Sequence, residues 1–152
     1  MKIYIASDHA GYELKEKLIN FLVEENGNEI IDKGAFEYNK EDDYPDFISV
    51  VAKEISENPD ARGIILGGSG QGEAMAANRF KRVRASVFYG GNQEIVRLSR
   101  EHNDANILSL GARFINEDEA KKVLKIWLNT AFSEEDRHTR RIKKIDRIVE
   151  SP

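Results

Sequence analysis

Cysteine is absent from this chain of 152 residues. Disulfide bridges, thiolate zinc sites and a cysteine nucleophile are therefore excluded. Long hydrophobic runs are absent too: the aliphatic stretch 64–66 is typical, and a membrane-spanning helix needs ~18 apolar residues. No signal-peptide pattern precedes the first apolar run at Ile3. We therefore expect a cytoplasmic protein with no membrane partner.

The charge balance disfavours a nucleic-acid partner. The net charge at pH 7 is −4, so most of the surface would repel a polyanion. One end is nevertheless basic, because the window 137–147 holds one anion, Asp146, beside the cations Arg137, Arg140, Arg141, Lys143, Lys144 and Arg147. A small phosphorylated ligand needs only two or three converging cations. A small anion is therefore the better prediction.

Short β-branched runs alternate along the chain with amphipathic stretches at helical spacing. This alternation predicts an α/β fold, a parallel sheet with helices on both faces, in five strand–helix units. In the second helix we expect Val50 and Val51 on the buried face. No linker divides the chain, so we expect a single domain over residues 1–152, with 136–149 forming a basic helix at its end.

Four of the six residues at 67–72 are glycine, and they follow the third predicted strand. Such a loop can direct several backbone N–H groups at one anion. A phosphate-binding P-loop would continue with Lys and Ser or Thr, but Gly72 is followed by Glu73 and Ala74. The next strand ends in Phe88 rather than in the acid of a dinucleotide site. The loop therefore predicts an anion site of another kind, unless it is only a tight turn.

Glu73 is predicted to face the same pocket as the glycine amides. A base that removes a proton next to a carbonyl creates an oxyanion, and preorganised backbone donors stabilise that oxyanion. The alternative is an ordinary acidic residue in the first turn of a helix. The three histidines, His9, His102 and His138, all lie at predicted loop or helix ends. No two of them have the i, i+4 spacing of a zinc motif, so we expect no metal.

Together these segments resemble the ribose-5-phosphate isomerase B family, which includes the hexose-phosphate isomerases of allose and galactose metabolism. The matching motifs extend over nearly the whole chain and are Asp8-His9-Ala10-Gly11, Asp43-Tyr44-Pro45, Gly67 to Glu73 with Ala76-Ala77-Asn78, Ser99 to Asn106, and Arg137-His138 with Arg141. The resemblance implies a Rossmann-like three-layer sandwich with a five-stranded parallel sheet and a C-terminal helical tail. It also implies interconversion of an aldose phosphate and a ketose phosphate through a cis-enediolate, without metal or cofactor.

The resemblance also assigns roles to residues. One version of the family uses a cysteine base at the position of Gly67, and the other uses a glutamate at the position of Glu73, as here. The remaining catalytic positions match His102 for ring opening, with Asp8 beside it, and Ser69 at the enediolate oxygen. The substrate-binding positions match His9, Tyr44, Gly68, Gly70, Gln71, Gly72, Asn103, Arg113, Arg137 and Arg141. His138 matches as well, with a structural hydrogen bond at least as plausible as substrate contact.

The family further implies a homodimer or a dimer of dimers with shared active sites, in which His102 reaches the pocket that holds the partner's equivalent of Glu73. The expected substrate is a small sugar phosphate, ribose 5-phosphate or ribulose 5-phosphate. A hexose 6-phosphate of the allose or galactose type is the alternative, because pocket depth cannot be read from a sequence. A non-catalytic sugar-phosphate-binding module would need neither Glu73 nor His102.

Overall fold

The computed structural model describes residues 1–25 and 27–150, and for 149 and 150 it describes the backbone. Strands and helices alternate through this part of the chain, and one helix is added at the end. In chain order the elements are β1 (Lys2–Ser7), α1 (Tyr12–Glu24), β2 (Glu29–Asp32), α2 (Tyr44–Glu57), β3 (Arg62–Gly67), α3 (Gln71–Ala77), β4 (Ala85–Phe88), α4 (Glu94–Asn103), β5 (Ile107–Gly111), α5 (Glu117–Asn129) and α6 (Asp136–Glu150).

The five strands form one parallel sheet in the order β2-β1-β3-β5-β4. In its centre Ile5 is paired with Ile64, which is paired with Leu108. After β1 the chain turns to one side of the sheet for β2, and then crosses to the other side for β3. The carboxyl ends of β1 and β3 therefore form the switch point at which open α/β sheets bind ligands.

Both faces of the sheet are covered, because alternate residues of each buried strand point to opposite sides. Ile3 and Ile5 pack with α1 and α5 around the fully buried Trp127. Tyr4 and Ala6 point the other way, into the cluster built on α2 and α3. These layers confirm the predicted Rossmann-like three-layer sandwich.

The helices follow the sequence prediction with small differences. The expectation that Val50 is buried on α2 is wrong, because its side chain is 40% exposed. The buried face of α2 is centred on Ile48, Val51 and Ile55, and successive helical residues are rotated by 100°, which carries Val50 out of that face. At α5 the Asn116 side chain accepts a hydrogen bond from the Glu119 amide at 2.9 Å, as an N-cap does. None of the helices in the described ranges is both long and apolar enough to cross a bilayer.

Candidate active site

Asp8 lies immediately after β1, at the switch point of the sheet. The residue is only 6% exposed, and its carboxylate accepts hydrogen bonds from the amides of Ala10 (3.0 Å) and Gly11 (3.3 Å). Burial raises the pKa of Asp8, although these amides act in the opposite direction. The site thus contains a carboxyl group that is held in place by the backbone and binds a proton more readily than an exposed one.

Glu73 lies in the first turn of α3, just after the glycine loop, and is 4% exposed. A Cβ atom at Gly67 would overlap its carboxylate, so the glycine provides the space that the glutamate side chain occupies. Burial raises the pKa of Glu73, the nearby Asp8 carboxylate adds to the effect, and backbone hydrogen bonds oppose it. A buried carboxylate with a raised pKa is suited to exchanging protons near neutral pH.

Tyr44 and Arg113 close in on the glycine loop from α2 and from the end of β5. A Cβ atom at Gly72 would lie 2.7 Å from the Tyr44 hydroxyl, and one at Gly68 would lie 3.2 Å from Nη1 of Arg113. The Arg113 amide also donates to the Gly68 carbonyl at 3.1 Å. The loop therefore brings a guanidinium and an aromatic wall close to its backbone.

These residues meet at one edge of the sheet, where the strands end, and we call them the carboxyl-edge group. It consists of Asp8, His9, Tyr44, Gly68, Ser69, Gly70, Gln71, Gly72, Glu73 and Arg113. Gly70 has a left-handed φ of 77°, which lets the chain turn into α3. The Ser69 hydroxyl accepts a hydrogen bond from the Gln71 amide at 3.3 Å.

The other predicted site residues form a second cluster, the amino-edge group: His102, Asn103, Arg137, His138 and Arg141. The imidazoles of His102 and His138 are stacked, with ring centroids 4.3 Å apart and planes inclined by 10°. His138 is 4% exposed. Its burial lowers its pKa, and the neighbouring His102 and Arg137 act in the same direction. The His138 ring thus packs against the His102 ring within the same chain.

The two groups lie at opposite edges of the sheet. Helix α4 runs antiparallel to the strands, so His102 and Asn103, in its last turn, lie next to the beginning of β5. There the Asn106 carbonyl accepts from the Gly63 amide at the start of β3. Glu73 follows the other end of β3, and a strand of this length covers roughly 15–20 Å. The structure thus brings the predicted residues together as two half-sites, and not as one complete site.

Asp42 lies beside the carboxyl-edge group, against His9, but was missed in the sequence. Its Oδ1 atom lies 2.6 Å from Nδ1 of His9 and 3.1 Å from the His9 amide. Asp8, His9 and Asp42 each place one potential metal ligand within 4.8 Å of the others. Hydrogen bonds within the protein already engage all three of these groups. The only local signal for Asp42 is the acidic run 41–43 before Pro45.

Comparison with known proteins places this architecture in a family. The family model described as Ribose/Galactose Isomerase matches residues 3–145. Ribose-5-phosphate isomerase B of Mycolicibacterium paratuberculosis is 42% identical over 142 residues, which are 93% of this chain and 87% of that protein. The Escherichia coli protein of the same name is 37% identical over 147 residues, 97% of this chain and 95% of its own.

Solved structures agree with these relatives. Ribose-5-phosphate isomerase B from Mycoplasma genitalium, crystallised with bound ribulose-5-phosphate, superposes with a TM-score of 0.93 at 37% identity and covers 99% of this chain and 97% of its own. The Clostridium thermocellum structure gives 0.91 at 43% identity, with 99% and 98% covered. The family resemblance seen in the sequence is confirmed. This chain belongs to the ribose/galactose isomerase family.

Proposed function

We propose that this protein interconverts ribose 5-phosphate and ribulose 5-phosphate. The observation that carries the proposal is the buried Glu73 carboxylate, with its raised pKa, next to the backbone of a glycine loop. An aldose–ketose isomerase needs a base and donors for the oxyanion that the base creates. The named relatives and the ribulose-5-phosphate complex of one of them support the choice of sugar.

Glu73 is the base in this mechanism. With the sugar in its open-chain form, Glu73 removes the proton from C2, and the electrons move toward the C1 carbonyl to give a cis-enediolate. The amides of 68–72 and the Ser69 hydroxyl stabilise the enediolate oxygen. Glu73 then returns the proton to C1, while a hydroxyl proton moves from O2 to O1. No electrons leave the substrate, so the chemistry requires no redox partner.

The amino-edge group contributes from a second chain. His102 opens the furanose ring, with Asp8 beside the anomeric centre, and Asn103 binds sugar hydroxyls. The phosphate is bound by His9, Arg113, Arg137 and Arg141. In a two-fold dimer every contact between subunits occurs twice. If His102 of one chain reaches the glycine loop of its partner, the partner's His102 therefore reaches the glycine loop of the first chain, and both sites are complete. We therefore propose a homodimer, or a dimer of dimers, with shared sites.

Six-carbon substrates are the alternative within the same chemistry. The family description names galactose beside ribose, and both substrates would use the same base and phosphate contacts. A sugar-phosphate sensor without catalysis would have no use for a buried base. Because phosphorylated sugars are charged and do not cross bilayers unaided, we propose the cytoplasm as the place of the reaction.

A coupled assay with ribose 5-phosphate and allose 6-phosphate tests the proposal. We expect the pentose phosphate to give the higher kcat/KM. The variant Glu73→Gln keeps the shape of the side chain and removes the base, so its kcat should fall roughly 10²–10⁴-fold while ribose 5-phosphate still binds. A wild-type protein that binds both sugars and isomerises neither would be a sensor.

A further inference from the structure

The loop between β2 and α2 supplies a carboxylate to His9. Asp42 comes from 33 residues farther along the chain and accepts both the ring N–H and the backbone N–H of His9, at 2.6 and 3.1 Å. The Asp42 side chain is only 7% exposed. Its second oxygen, Oδ2, is buried without a hydrogen-bond partner among the described residues. His9 is thus the residue to which this buried carboxylate is hydrogen-bonded.

Asp8 is the other carboxylate that could hold the same ring nitrogen. Its Oδ2 atom is 3.9 Å from Nδ1 of His9, which is too long for a hydrogen bond. Its Oδ1 atom already accepts from the amides of Ala10 and Gly11. These distances show that Nδ1 of His9 is hydrogen-bonded to Asp42 and not to Asp8.

An acceptor at Nδ1 decides which nitrogen of His9 is left for a ligand. Neutral imidazole carries one proton, and a carboxylate at Nδ1 fixes that proton on Nδ1. Nε2 then remains as the nitrogen available to a ligand, and it can donate to an anion only in the protonated ring, in which both nitrogens carry hydrogens. The bond from the His9 amide to the same carboxylate restrains the backbone, and the Tyr38 ring packs edge-on with its centroid 6.3 Å away. The orientation and the tautomer of the His9 ring are therefore both restrained by its neighbours.

We propose that Asp42 is a positioning residue of the phosphate site: it holds His9 so that Nε2 faces the phosphate of the sugar. Asp42 itself does not touch the substrate in this arrangement, which also keeps its negative charge behind the imidazole and away from the phosphate. The proposal rests on the proposed function in that it takes the sugar phosphate as the ligand of His9.

The tautomer can be measured without any substrate. The chain has three histidines, so ¹⁵N imidazole spectra can be assigned with one variant for each. At a pH at which the ¹⁵N shifts show a neutral ring, we expect the wild-type His9 proton on Nδ1. Asp42→Ala should shift the proton toward Nε2, and Asp42→Asn should retain it on Nδ1, because an amide oxygen also accepts. The matched control is Glu41→Ala, since the neighbouring Glu41 is 77% exposed. A His9 spectrum unchanged in Asp42→Ala would overturn the proposal.

Kinetics separate positioning from a general loss of structure. We expect Asp42→Ala to raise KM about tenfold, the effect of one charge-assisted hydrogen bond, with kcat within about twofold of wild type. Asp42→Asn should recover most of the loss. In a His9→Asn background, Asp42→Ala should have almost no additional effect on KM. If the KM effects of Asp42→Ala and His9→Asn multiplied in the double variant, Asp42 would act on the loop and not through His9, and the proposal would be wrong. If the wild type isomerised neither sugar, the proposed function would fail while the tautomer experiment still decided the role of Asp42.

Discussion

Residue 67 determines whether the side chain of Glu73, the proposed base, has room for its carboxylate. Any side chain at Gly67 would begin with a Cβ atom in the space of the Glu73 carboxylate. The family resemblance implies either a cysteine base at the first position or a glutamate base at the second, and these two side chains would compete for one volume. The exclusion is local, and it can be tested with a single methyl group.

Gly67→Ala should therefore reduce kcat by at least about tenfold, because the carboxylate must move away from the reacting carbon. The matched control is Gly63→Ala in the same strand, where the new methyl group meets Ile107 Cγ1 at 2.8 Å and Val51 Cγ1 at 3.0 Å in the core. That variant should lower Tm and leave kcat near the wild-type value. Steady-state kinetics and thermal melts on both variants check the prediction, which fails if Gly67→Ala keeps full kcat.

The pH profile should show the raised pKa of Glu73. A base must be ionised to act, so kcat/KM should fall on the acid side at a pH above the ordinary glutamate value of about 4.3. Since the Asp8 charge contributes to the shift, Asp8→Asn should move this acid limb to lower pH, whatever it does to the maximal rate. A wild-type acid limb at or below the ordinary glutamate value would contradict the raised pKa of Glu73.

The same buried charge should cost stability. The folded-state pKa of Glu73 lies above its unfolded value, so the unfolding free energy falls as pH rises above the unfolded-state pKa, and the penalty is complete once the pH exceeds the folded-state pKa. Glu73→Gln should raise Tm at pH 7 by about 2–4 °C for each kcal/mol of relieved desolvation. The gain should disappear at pH values below both pKa values.

Glu117→Gln is the matched control for this stability measurement. The hydrogen bond from Lys121 lowers the pKa of Glu117, so its charge stabilises the fold at neutral pH. This variant should lower Tm slightly or leave it unchanged. A Glu73→Gln variant that melts below the wild type at pH 7 would contradict the predicted sign.

At the scale of elements, the features predicted from sequence are the local ones. The strands β1, β3 and β5 have runs of buried residues. The glycine loop and Glu73 are contiguous in the sequence, so their placement after β3 needed no knowledge of the tertiary fold. Asp42 was missed because the run 41–43 contains three acids, and only the folded loop brings one of them within 2.6 Å of His9. Val50 was misplaced because the centre of a helix face depends on what packs against it.

Helix α6 carries the cations predicted to bind phosphate. Arg137 is paired with Glu135 at 2.8 Å, and their side chains are 57% and 50% exposed. An ion pair this exposed is weak, so a phosphate can displace it. Arg137→Ala and Arg141→Ala should each raise KM about tenfold with little change in kcat. Arg140→Ala, an exposed cation of the same helix, is the control. Unchanged KM and unchanged inhibition by inorganic phosphate in the first two variants would make these arginines a solvated surface.

At the scale of the whole molecule, the main consequence of the fold is that the two half-sites lie at opposite edges of the sheet. Strand order and helix direction place His102 beside the start of β5 and Glu73 beyond the end of β3. The predicted parallel alternation already implies this separation, because a helix between two parallel strands ends at the edge of the sheet where the next strand begins. A second chain related by a two-fold axis can join the half-sites, and the resulting shared site has a property that a site within one chain lacks.

That property is complementation between two inactive variants. Glu73→Gln and His102→Asn homodimers should both be nearly inactive, because every shared site in them carries a lesion. In a mixed dimer one site carries both lesions and the other carries neither. After random exchange of equal amounts, about half of the dimers are mixed and each has one intact site, so about a quarter of the wild-type activity should return. If activity stayed at the level of the separate variants after subunit exchange had been verified by mass spectrometry, Glu73 and His102 would serve a site within one chain.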